Sequence, residues 1–177
     1  EVNLKFVTEL ASELNVSNII SKILVSRGVD NYAAAQNYFR PNFNQFHDGF
    51  LMKGMQKSIT RLNIAVRKNE SILIYGDYDV DGTCSVALMV EFLKKINAKV
   101  MHYQPHREIE GYGISLKSVA WCNENSIDLV IALDCGIKDL KASKSFKENN
   151  VDLIICDHHN PGELLPEAFS ILNPKQY

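Results

Sequence analysis

The spacing of apolar residues changes near residue 70. Before that point Leu4, Val7, Leu10, Ala11 and Leu14 recur at helical intervals. Ile19, Ile20, Ile23 and Leu24 repeat the pattern up to Arg27-Gly28, which reads as a helix stop. Ser17 and Asn31 stand where N-caps are needed for a second helix and for a short third one ending near Tyr38. Pro41 closes that pattern and an irregular stretch follows, whose Phe43, Phe46 and Phe50 we read as packing residues rather than a base-stacking platform. Met55, Ile59, Leu62 and Val66 mark a fourth helix running into the first strand. Residues 1–69 are therefore expected to form a helical cap region with no chemistry of its own.

From residue 70 onward, near-continuous apolar runs alternate with helical patterns. Strands are predicted over 71–75, 98–103, 129–133 and 151–156, with helices over 83–96, 116–123 and 138–148. Strands apolar on both sides and separated by helices imply an α/β domain, a parallel sheet covered on both faces in three layers, over 70–177.

The polar residues of this half gather just after the strands. Asp77, Asp79 and Asp81 follow the first strand before Gly82, a run containing His106 and Arg107 follows the second, Asp134 the third, and Asp157-His158-His159 the fourth. In an open parallel sheet these segments share the carboxyl edge, where ligands bind. Three carboxylates within five residues repel one another unless cations or donors neutralise them. Such an oxygen-rich cluster suits Mg2+ or Mn2+, and an imidazole tilts the choice towards Mn2+. Asp79, Asp81, Asp134 and His158 are the candidate ligands for two divalent ions, with Asp134 placed to bridge them. Paired ions of this kind orient and acidify water and stabilise charge on a phosphoryl oxygen.

Adjacent histidines in an extended backbone point opposite ways. His158 is accordingly expected as ligand and His159 as the group facing the scissile phosphate, with Asp157 orienting an imidazole. Asp77 is left open as ligand, hydrogen-bond acceptor or structural acid. Arg107, with His106, is the candidate phosphate clamp on a flexible loop ending in Gly111-Tyr112-Gly113. Lys138, Lys141, Lys144 and Lys147 read as the solvated face of an outer helix.

Composition narrows the setting. Hydrophobic residues make up 46% of 177, enough for one ordinary core. No apolar run approaches the roughly 18–20 residues of a membrane span, and the first ten residues do not resemble a signal peptide. Cys84, Cys122, Cys135 and Cys156 lack close spacing and sit among apolar residues, which fits buried thiols in the cytoplasm rather than a zinc or disulfide site. A net charge of −2 disfavours a wholly basic nucleic-acid wrapper but not a local groove.

The first motif Asp77-Tyr78-Asp79-Val80-Asp81-Gly82, the isolated Asp134 before Cys135-Gly136, and Asp157-His158-His159 resemble the first three motifs of the DHH phosphoesterase superfamily. Pro105-His106-Arg107, Glu110-Gly111-Tyr112-Gly113 and the lead-in segments Ser26-Arg27-Gly28, Phe39-Arg40-Pro41 and His47-Asp48-Gly49-Phe50 are similar to its RecJ-type branch of single-strand-specific 5′-to-3′ DNA exonucleases. The resemblance implies two-metal release of mononucleotides from single-stranded DNA in repair and recombination. It also implies Asp79, Asp81, Asp134 and His158 as ligands and His159 as the catalytic histidine. A helicase and a single-strand-binding protein are the implied protein partners. A fourth aspartate motif and further domains are expected beyond Tyr177, which would leave this chain an N-terminal catalytic fragment with weak or no activity alone. Two alternatives stay open: a hydrolase of short oligonucleotides or cyclic dinucleotides, and a non-catalytic replication scaffold.

Overall fold

Side-chain caps set the helix starts at the N-terminal end of the chain. In α1 (Leu4–Leu14) Asn3 Oδ1 accepts a hydrogen bond from Lys5 N at 3.0 Å. Ser17 Oγ accepts from Ile20 N at 3.4 Å in α2 (Asn18–Ser26), and Asn31 Oδ1 from Ala34 N at 2.9 Å in α3 (Tyr32–Phe39). The computed structural model describes residues 3–176, which divide into one unit ending at His47 and a second beginning at Asp48. Leu10, Leu24, Val29 and Ala35 form the core of the first unit, and Ser21 Oγ ties α2 to α1 through a buried bond to Val7 O at 2.7 Å.

The phenylalanines expected to pack do not. Phe43 and Phe46 are 87% and 76% exposed and meet only edge to face, and Phe50 is exposed as well. Phe43 and Phe50 lie in single 3-10 turns, and Phe46 directly follows the first of them; one such turn is too short to present a continuous buried face.

Among the described residues, the second unit is built on five parallel strands in the order β2-β1-β3-β4-β5. They are β1 (Ile72–Gly76), β2 (Val100–Tyr103), β3 (Leu129–Leu133), β4 (Asp152–Cys156) and β5 (Ser170–Leu172). Alternation along the strands feeds two separate cores. Ile72 and Ile74 pack with Ala65 of α4 (Met55–Arg67) and with Val86, Val90 and Leu93 of α5 (Val80–Lys95). Leu73 and Tyr75 pack with Val119 and Cys122 of α7 (Leu116–Glu124) and with Ala142 and Phe146 of α8 (Leu140–Glu148). The result is the expected three-layer α/β fold.

The fourth helix, grouped by its sequence with the lead-in, belongs to the second unit. Leu62 and Val66 pack against the same core as Ala65. Arg61 bonds Asp152 Oδ2 at 2.5 Å and Glu70 Oε2 at 2.7 Å, clamping α4 to the beginnings of β1 and β4. Among the described residues, no helix is long and apolar enough to cross a membrane.

Register explains why the site residues form a row. Gly76 pairs with Leu133, Leu133 with Cys156 and Cys156 with Leu172. The next residue on each strand is therefore Asp77, Asp134, Asp157 and Asn173. Their amides continue the ladder: Asp134 N donates to Cys156 O at 2.9 Å and Asp157 N to Leu172 O at 3.0 Å. Sequence pattern did not reveal β5, which has three residues, or the one-turn helix α6 (Arg107–Glu110).

Candidate metal centre

The first aspartate motif is a tight strand-to-helix turn. Asp77 is buried and its Oδ1 accepts from Tyr78 N at 2.8 Å. The helix starts at Val80 rather than 83, because Asp79 caps it by accepting from Gly82 N at 3.0 Å. A Cβ at Gly82 would lie 2.5 Å from Asp77 O and 2.7 Å from Asp77 N, so the turn closes only with glycine there. Asp81 is exposed in the first turn of α5 and joins neither of the two donor groups that gather at this edge.

Asp134 is the hinge of the arrangement. Its φ of 62° is rare for a non-glycine residue and turns the chain sharply off β3. It belongs to both donor groups, Asp77–Asp79–Asp134 and Asp134–His158–His159, within each of which donor atoms lie within 4.8 Å of one another. His158 Nε2 is 3.1 Å from Asp134 Oδ1. Burial and then the neighbouring Asp79 raise the pKa of Asp134, and burial and Asp79 do the same to Asp77. Acids that resist ionising beside another acid, with an imidazole at hand, fit a divalent cation. Asp134 is the one carboxylate common to the two groups.

The two histidines do not point apart. Residues 157–159 are not in a strand, and the rings of His158 and His159 lie 4.6 Å apart. Their partners nevertheless differ. His159 Nδ1 lies 2.7 Å from Asp157 Oδ1, whereas His158 faces Asp134. Burial opposes ionisation of Asp157, but backbone bonds from His159 N and Ile137 N and the His159 side chain hold its pKa below the ordinary value. Two residues to which the sequence reading gave no role of their own complete this corner. Tyr112 Oη is 3.1 Å from His159 Nδ1, and buried Asn173 donates from Nδ2 to His159 O at 2.9 Å. Asn173 carried a signal in hindsight, as the polar residue after a short apolar run.

The loop after β2, expected to be flexible, is pinned at several points. Glu110 accepts from Ser115 Oγ at 2.6 Å, His106 N at 2.9 Å and Tyr103 Oη at 3.0 Å. Tyr75 Oη donates to Gly113 O at 2.7 Å, and Ile114 N to Asp139 Oδ2 at 2.7 Å. Arg107 and His106 stand outside both donor groups, in an open hollow of about 570 Å³ with Tyr78, Thr83 and Gln104. The Arg107 guanidinium lies 5.3 Å from the Tyr78 ring centre, and Gln104 Nε2 donates to Asp77 O at 3.1 Å, so this hollow adjoins the first motif. Cys84 is exposed, contrary to expectation, and all four cysteines are free.

The model of the DHH family, N-terminal domain, matches residues 71–177. The chain belongs to the DHH family. Among curated members, the single-stranded-DNA-specific exonuclease RecJ of Bacillus subtilis is 38% identical over 170 residues, 96% of this chain and 22% of that protein. RecJ of Thermus thermophilus is 37% identical over 120 residues, 68% of this chain and 18% of its own length. Among solved structures, an exonuclease RecJ bound to manganese matches with a TM-score of 0.65 and 35% identity, over 70% of this chain and 31% of that one. RecJ from Thermus thermophilus in complex with Mn2+ matches with a TM-score of 0.68 and 26% identity, over 97% of this chain and 24% of the other. The chain thus spans about a fifth of the length of these curated relatives.

Proposed function

We propose that this chain supplies the metal-binding part of a phosphodiesterase that removes mononucleotides from the 5′ end of single-stranded DNA. The observation that carries the reading is Asp134, common to two donor groups at the carboxyl edge of a DHH-family sheet. Asp77, Asp79, Asp134 and His158 would hold two divalent ions, Mn2+ or Mg2+. When bound, the ions supply an activated water and charge stabilisation at the phosphoryl group.

The chain's own groups perform the rest. Asp157 fixes His159 through Nδ1, leaving Nε2 to meet the leaving oxygen of the scissile phosphate. Asn173 holds the His159 backbone in place. Arg107, with His106, takes a phosphate at the hollow beside the first motif. A helicase that frees an end and a single-strand-binding protein are the partners such a reaction calls for. The retention of all these donors speaks for an enzyme rather than a scaffold.

The test uses the complete gene product with Mn2+ and compares long 5′-labelled single-stranded DNA with a dinucleotide. Mononucleotide release from the labelled end is expected. Strong preference for the dinucleotide would replace the exonuclease reading with that of a short-oligonucleotide hydrolase.

A further inference from the structure

We propose that the open hollow between the starts of α7 and α8 seats single-stranded polynucleotide leading away from the metal centre. The inference rests on the phosphodiesterase reading and concerns a separate set of residues. The hollow, of about 460 Å³, is lined by Ile114, Leu116, Leu140, Lys138 and Lys141, with Asp139 and Ala142.

Charge distinguishes these lysines from their neighbours. Lys144 faces Glu148 at 3.8 Å and Lys147 bonds Glu167 at 2.7 Å. Among the described residues, Lys138 and Lys141 have no such carboxylate partner, and both are exposed. Asp139, the single acid in the lining, turns its Oδ2 to Ile114 N. Beside the two free cations, Leu116 and Leu140 are 58% and 40% exposed. Cations spaced beside aliphatic surface suit a phosphate backbone with its sugars and bases laid against the protein.

Continuity with the site selects this occupant over an acidic peptide. Ile114 and Gly113, held by Asp139 and Tyr75, lead directly to Tyr112, whose hydroxyl touches His159. On the other wall, Ile137 donates to Asp157 at 3.0 Å one residue before Lys138. A strand whose end lies at His159 therefore meets this hollow next.

Fluorescein-labelled dT12 titrated into the 177-residue chain in EDTA, followed by anisotropy over a NaCl series, tests the proposal without relying on catalysis. Lys138→Ala/Lys141→Ala should weaken binding at least about fivefold and reduce the magnitude of the salt slope by about 1.4, as two lost phosphate contacts predict. Lys144→Ala/Lys147→Ala, matched in charge, should stay within about twofold. Equal losses in the two pairs, no loss in the first, no binding of dT12, or equal competition by hexaglutamate would overturn the seat. Circular dichroism of each variant checks folding. Mn2+ binding, measured separately, decides the fate of the metal site, so the two readings fail independently.

Discussion

Replacing Gly82 with alanine adds one methyl group where α5 meets the end of β1. The new Cβ would stand 2.5 Å from Asp77 O and 2.7 Å from Asp77 N, while ordinary contacts begin at 3.4 Å. Both obstacles are backbone atoms, so no side-chain rotation relieves them. The segment must part by roughly 0.9 Å, and overpacking of this kind costs about 2–3 kcal/mol. The displaced residues are the ones that matter, because Asp77 and Asp79 flank the turn and Asp79 caps the helix through Gly82 N. Metal donors tolerate errors of only about 0.2 Å, so Mn2+ affinity should fall by at least about tenfold. Thermal denaturation in EDTA should show the second unit melting about 4–12 °C lower. Calorimetric titration with MnCl2 gives the affinity. Wild-type affinity together with a wild-type melting temperature would refute the reasoning that the close approach at Gly82 sets the donor geometry.

Other consequences concern the acids. Asp134 and Asp77 have raised pKa values in the fold, so the native state holds their protons more tightly than the unfolded chain. Their stabilising contribution is present at low pH and is lost as pH rises through the raised values. Asp134→Asn should therefore raise the melting temperature in EDTA at pH 7, and the gain should vanish near pH 3. Asp157 behaves oppositely: its lowered pKa gives stability that is present at neutral pH and lost as pH falls through the folded value. Asp157→Asn should cost about 2 kcal/mol at pH 7 by urea denaturation, with the difference from wild type narrowing below about pH 4. Tyr75→Phe, which leaves Gly113 O without its buried donor, should cost about 1–2 kcal/mol in the same assay and speed amide exchange at residues 112–115.

Much of the second unit was legible because its strands are apolar on both sides and its polar residues cluster at strand ends. Ile72 through Tyr75 announce a buried strand, and Asp134 after 129–133 announces the shared edge. Short elements carry no period, which hid β5 and α6. Asp81 read as a ligand beside Asp79 while Asp77 was left open, but Asp81 lies in the first turn of α5, outside the donor groups, and Asp77 lies within one. The histidines defeated the extended-strand argument because the chain leaves β4 at Cys156, before reaching them. The contact of Tyr112 with His159 spans 47 residues and is set by pins at Glu110, Gly113 and Ile114, which no local pattern encodes.

Whether Asp134 is the shared anchor of a divalent-metal site can be measured directly. Calorimetric titration of Mn2+ into the 177-residue chain and its Asp134→Asn variant, near neutral pH, isolates that one carboxylate. Asparagine keeps the size of the side chain and tolerates the φ of 62°. Saturable Mn2+ binding by the wild-type chain, weakened by at least about 100-fold in the variant, is the predicted result. Absence of Mn2+ binding, or equal binding by the two chains, would contradict it.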